Sequence, residues 1–126
     1  MTIHQTAPLL SVSDIVESHK FYSDGLGFNV TKTWEPDGKL TWCWLQHGGA
    51  ALMLQQACAD DPTPGLWGEG VTIYFVCDDA DIVYREITAR GVKATKPTLA
   101  FYGMNQTFMT DPDGYRLCFE NPTAAA

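Results

Sequence analysis

The chain has 126 residues, with 8 Lys and Arg against 15 Asp and Glu and a formal charge of −7 at pH 7. That length suits one domain with a single core, and 45% hydrophobic with 18% charged residues excludes a disordered chain. The acid excess and scattered Lys and Arg argue against a nucleic-acid partner; no apolar run approaches the ~20 residues of a membrane span, and MTIHQTAPLL does not read as a signal peptide.

In chain order, a strand is predicted over Ala7 to Val12. A helix follows, with Asp14 as N-cap and Glu17 reaching back as a capping box. Gly27 serves as the turn residue beyond it. Strands are expected over Asn29 to Trp34, Leu40 to Gln46 and Ala51 to Gln56, joined by Pro36-Asp37-Gly38 and Gly48-Gly49. The Pro-, Gly- and Asp-rich stretch from Ala57 to Gly70 reads as a linker. A strand over Val71 to Val76 then leads into a second helix, where Ala80, Val83, Tyr84 and Ile87 share one face and Gly91 ends the helix. The last strands are expected over Val92 to Thr95, Gln106 to Thr110 and Tyr115 to Phe119. The last two are joined by the tight turn Asp111-Pro112-Asp113-Gly114.

This order is an internal repeat. Val12-Ser13-Asp14 matches Val76-Cys77-Asp78 and Gly27 matches Gly91, a step of 64 residues in both cases (Asp14 to Asp78, Gly27 to Gly91). Two copies mean duplication, not a solenoid. Each copy reads β-α-β-β-β, too small to make a good core alone. The predicted fold is α+β: two tandem modules forming open mixed sheets around a concave cavity. Residues 1–126 form a single domain, with module one about 5–57, a linker at 58–69 and module two about 70–122. The cysteines, Cys43, Cys58, Cys77 and Cys118, form no C-x-x-C pair and read as thiols of a reducing cytoplasm.

The duplicated unit, the opening LSVSDIVESHKFYSDGLGF and the ending DPDGYRLCFENP resemble the glyoxalase / bleomycin-resistance / extradiol-dioxygenase (vicinal oxygen chelate) superfamily, from about Ala7 to Pro122. That superfamily holds metal-dependent lyases, dioxygenases, epimerases and thiol transferases, and also metal-free proteins that sequester antibiotics. The resemblance implies where a metal would sit: five residues before the Val of each V-x-D turn, and four after the closing turn Gly. Those positions are Ala7, Val71 and Cys118, and the repeat adds Leu54. Such side chains do not make a site for a divalent cation, so no metal and no cofactor is expected. A two-residue shift outward gives Gln5, Gln56, Glu69 and Glu120, either solvated strand ends or a weak ring for a hard cation.

A cavity without a metal needs another use. Alternation along the strand sets Trp42 and Trp44 on one face, and the repeat maps them onto Gln106 and Phe108. In the family the residue at Phe108 tends to line the cavity. Leu52, Leu54, Arg116, Cys118, Leu9 and Ile73 are expected on the same concave faces, with Phe101 and Tyr102 as an aromatic rim. The tryptophans serve equally well as core or dimer interface. Glu35, Glu69 and Glu120 have no helix-start or turn role and are candidates for contact with a basic ligand. Arg116 pairing with Glu120 is the plainer outcome. No nucleophile constellation is visible, so no catalytic residue is assigned. The candidate ligand-binding residues are Trp42, Trp44, Leu54, Gln106, Phe108, Tyr102, Cys118 and Glu120. The expected function is metal-independent sequestration of a small aromatic or amphipathic molecule, with a positive charge compatible. The resemblance implies a homodimer. The alternative is a glyoxalase-type lyase or isomerase with an unconventional metal site.

Overall fold

Both helices start on an aspartate. In the computed structural model, which describes residues 1–58 and 67–123, Asp14 caps α1 (Ile15–Lys20) and Asp79 caps α2 (Ala80–Ala89). The Asp14 carboxylate accepts from the backbone of Val16 and Glu17 at 3.1 and 3.3 Å, and Asp79 from Asp81 and Ile82 at 2.8 and 3.3 Å. These bonds satisfy first-turn N–H groups that have no partner inside a helix. Helix α1 runs on into a π turn over Phe21–Gly25.

The chain divides into two units, Met1–Trp67 and Gly68–Ala126. The first holds β1 (Leu9–Val12), β2 (Asn29–Trp34), β3 (Trp42–His47) and β4 (Ala50–Gln56), in the order β1-β4-β3-β2. The second holds β5 (Thr72–Val76), β6 (Thr98–Leu99), β7 (Met104–Thr110) and β8 (Arg116–Pro122), in the order β5-β8-β7-β6. In each sheet the first and last strands run parallel, which requires the helical crossover, and the other pairs are antiparallel. The fold is therefore α+β, two open four-stranded mixed sheets built alike. Residues 59–66 of the expected linker lie outside the described residues.

One expected strand is absent. Val92 to Thr95 pairs with no neighbour as a strand, because Thr95 answers β7 with its side chain: its N–H donates to the Phe108 carbonyl at 2.9 Å while its Oγ1 accepts from the Phe108 N–H at 3.0 Å. The edge strand is instead Thr98–Leu99, just after Pro97.

The repeat also differs in its step. The two N-caps are 65 residues apart, Asp14 to Asp79. The same hydrogen bonds recur at that step. Ile15 N–H donates to Gln56 Oε1 at 2.9 Å, and Ala80 N–H to Asn121 Oδ1 at 2.7 Å. Ser23 Oγ donates to the His19 carbonyl and Thr88 Oγ1 to that of Tyr84, both at 2.6 Å. The helix ends restore a step of 64. Val92 N–H reaches the Ile87 carbonyl and Gly91 N–H that of Thr88, the usual glycine-terminated ending. In the first unit Phe28 reaches Tyr22 and Gly27 reaches Ser23, the same pattern widened by the one residue that the π turn inserts.

Candidate functional site

A one-residue change of step exchanges the two faces of a strand, so the strand register decides which side chains share a surface. In the first unit Trp44 stands opposite Met53 and Lys32, and Trp42 opposite Gln55 and Trp34. Leu9 joins them through Met53. Trp44 donates from Nε1 to Gln46 Oε1 at 2.9 Å, and Lys32 Nζ lies 6.0 Å from its ring centroid. This face is an indole surface, with one tryptophan already under a cation.

Leu54 is not on it. It stands opposite Cys43 and Leu10, on the other face, and is fully buried with Leu52, Leu45 and Val12. Leu52, opposite Leu45, moves with it. The 64-residue step that equated Leu54 with Cys118 fails in this strand, where the Gln56 and Asn121 amides fix a step of 65. The counterparts of Cys118 and Glu120 are Met53 and Gln55.

In the second unit Tyr74, Cys118 and Phe108 are in register across three strands, and Gln106 stands opposite Glu120. Tyr74 and Phe108 meet edge to face at 6.3 Å. Ile73, expected here, stands opposite Leu117 on the other face; Tyr74 takes its place, for the same reason of register. The pairing pattern is the only signal that would have found Tyr74, Met53 and Gln55.

The polar centre of this face is Glu120. Its Oε1 accepts from Gln106 Nε2 at 2.8 Å and from Tyr102 Oη at 3.3 Å, and Gln106 Nε2 also donates to Tyr102 Oη at 2.5 Å. Glu120 is 9% exposed and Gln106 7%, whereas Tyr102 is 49% exposed. Desolvation and then the Glu120 and Tyr74 groups push the Tyr102 phenol above its ordinary value. Arg116 does not pair with Glu120. Cys118 has no exposed surface, and burial, then Glu120 and Cys77, push its thiol up to about 12. Trp42, Trp44 and the group Gln106, Phe108, Tyr102, Cys118 and Glu120 thus lie on two sheet faces, one in each unit.

The residues at the family's metal positions do not fit a metal. With the corrected step they are Ala7 and Met53 in the first unit, and Thr72 and Cys118 in the second. Ala has no donor, a thioether is a poor ligand for a hard cation, and Cys118 holds its proton. The alternative ring fails at Gln56, whose Oε1 holds the start of α1 and whose Nε2 donates to the Ser13 carbonyl at 2.7 Å. Among the described residues no group of three His, Cys, Asp or Glu side chains is placed to hold a metal ion.

Residues 2–119 match the family model of the Glyoxalase/Bleomycin resistance protein/Dioxygenase superfamily. The chain belongs to this superfamily. Among curated proteins none matches it. A glyoxalase/bleomycin resistance protein/dioxygenase from Nocardioides is similar in structure at a TM-score of 0.75 and 17% identity, over 100% of this chain and 87% of that one. TnmS3, an antibiotic binding protein from Streptomyces sp. CB03234, is similar at 0.73 and 23% identity, over 97% and 98% of the two chains. TioX from Micromonospora sp. ML1 is similar at 0.72 and 18% identity, over 97% and 98%. At such identities these structures share the superfamily fold.

Proposed function

We propose that this superfamily member is a metal-independent binding protein that sequesters a small planar aromatic compound on its aromatic sheet faces. The observation that carries this reading is the exchange of side chains on those faces. Where metal-dependent relatives need ligands, this chain has Ala7, Met53, Thr72 and Cys118. Beside them the first sheet presents Trp42 and Trp44, and the second presents Phe108, Tyr74 and Tyr102. An aromatic panel with a few placed polar groups suits an aromatic ligand. The shared fold of TnmS3, itself an antibiotic binding protein, agrees with this use. No side-chain arrangement described above supplies a nucleophile with a base.

Tryptophan fluorescence and metal content test it together. Acridine, planar and neutral, is expected to quench the indole emission with a Kd in the micromolar range, about −8 kcal/mol. Trp44→Ala is expected to weaken binding on the first sheet's face about tenfold, and Phe108→Ala on the second's. Stoichiometric nickel, zinc, iron or manganese in the purified protein, lost on Cys118→Ala, would overturn the metal-independent reading. Unchanged affinity in both aromatic variants would overturn the placement of the ligand.

A further inference from the structure

Glu120 is a buried carboxylate whose surroundings do not account for its charge. Asp111, the other buried acid among the described residues, is explained by its turn, where its Oδ1 takes the N–H groups of Asp113 and Tyr115 at 2.9 Å each. Glu120 lies mid-sheet, and its only described partners are neutral: the amide of Gln106 and the phenol of Tyr102, both on Oε1. Among the described residues its Oε2 takes no hydrogen bond, yet it is not sealed in the core. Among the described residues the one fully enclosed side-chain polar atom without a partner is Ser18 Oγ.

Withdrawing a carboxylate from water costs several kcal/mol unless a cation or a full set of donors replaces the water. Two neutral donors occupy one oxygen and leave Oε2 open to a donor from outside the protein. Tyr102 bonds to Glu120 and carries Phe101 packed on its ring at 5.1 Å between centroids, and Tyr74 and Phe108 meet one residue pair along the same face, opposite Cys118, while Val76 stands opposite Glu120 itself. A carboxylate among aromatic rings is the chemistry that recognises an organic cation: a charge-assisted hydrogen bond to the acid, and ring faces beside the charge.

We propose that Glu120 Oε2 is the anchor for a protonated amine or amidine carried by the aromatic ligand, with Tyr74 and Tyr102 flanking it. The proposal rests on the reading that the sheet face binds an aromatic compound and adds the charge of that compound and the atom that meets it. A tie that merely orders the loop around Tyr102 would need an acceptor at position 120 but not a charge.

The test uses two probes of one shape at pH 7.5, 9-aminoacridine as the cation and acridine as its neutral counterpart. The wild-type protein is expected to bind the cation about tenfold more tightly or better. Glu120→Gln is expected to remove that preference while leaving acridine affinity within about twofold. Glu86→Gln, the same charge change at an exposed position of α2, is expected to keep the preference. If Glu120→Gln does not fold, Glu120→Asp decides, since it keeps the charge and shortens the reach: a reduced preference supports the anchor and an undiminished one overturns it. Equal wild-type affinity for the two probes overturns the anchor and leaves the aromatic-binding reading standing. Binding of neither probe overturns both.

Discussion

Cys118 sits two residues from Glu120 on one face of β8 and has no exposed surface, so its thiol rises from 9.0 to about 12. The folded chain then keeps a proton that the unfolded chain gives up near pH 9. That contribution to stability is complete below pH 9 and is lost as pH rises from there toward 12. Between pH 7 and about pH 10.5 the Cys118 share of the loss amounts to as much as about 2 kcal/mol. Urea unfolding at the two pH values is expected to show a larger drop for the wild-type protein than for Cys118→Ala; equal drops would mean that the thiol titrates normally. Residue identities such as Trp42, Trp44, Phe108 and Glu120 were readable as candidates because strand alternation and the lack of a cap or turn role single them out. Leu54 and Ile73 were misread for a different reason: the face a strand residue occupies depends on the register of its neighbours, and one step of error reverses it.

The elements themselves were more legible than their register. Asp14, Gly27, Gly91 and the Asp-Pro-Asp-Gly turn mark boundaries by local chemistry, and the structure has helices and turns there. The π turn leaves no such mark, since an extra residue in a helix costs little local propensity and is revealed only by the widened hydrogen bonds at Tyr22 and Ser23. The matching Val-Ser-Asp and Val-Cys-Asp triplets concealed it, because Asp78 and Asp79 are adjacent and only Asp79 caps. Val92 to Thr95 was misread because the Thr95 hydroxyl substitutes for a strand carbonyl, a choice made by tertiary contact. A glycine gives the sharpest test at this scale. Gly68 has φ +73, and a Cβ there would press into the Tyr115 ring with Cε1 at 2.8 Å, whereas Gly70 has φ +81 and open space. Both substitutions strain the backbone by about 1 kcal/mol, so Gly68→Ala is expected to cost 1–3 kcal/mol more than Gly70→Ala through overpacking, measured by urea unfolding. Equal costs would show that the Tyr115 ring yields freely.

For the molecule as a whole, the charge of −7 attracts cations over a distance that salt sets. The Debye length is about 10 Å at 0.1 M and about 3 Å at 1 M. Raising salt across that range is expected to weaken 9-aminoacridine binding several-fold while leaving acridine nearly unchanged, as titration at both ionic strengths would show. A cation affinity indifferent to salt would confine the attraction to the contact with Glu120 alone. The duplicated frame has a consequence for stoichiometry. Trp42 faces Gln55 in the first sheet where Gln106 faces Glu120 in the second, so the chain offers two equivalent berths and has fitted only one with a carboxylate. Ancestral symmetry has given way to division of labour: one berth holds a buried acid, its twin is lined with indole and amide, and if Glu120 is the anchor, titration calorimetry is expected to count one 9-aminoacridine per chain.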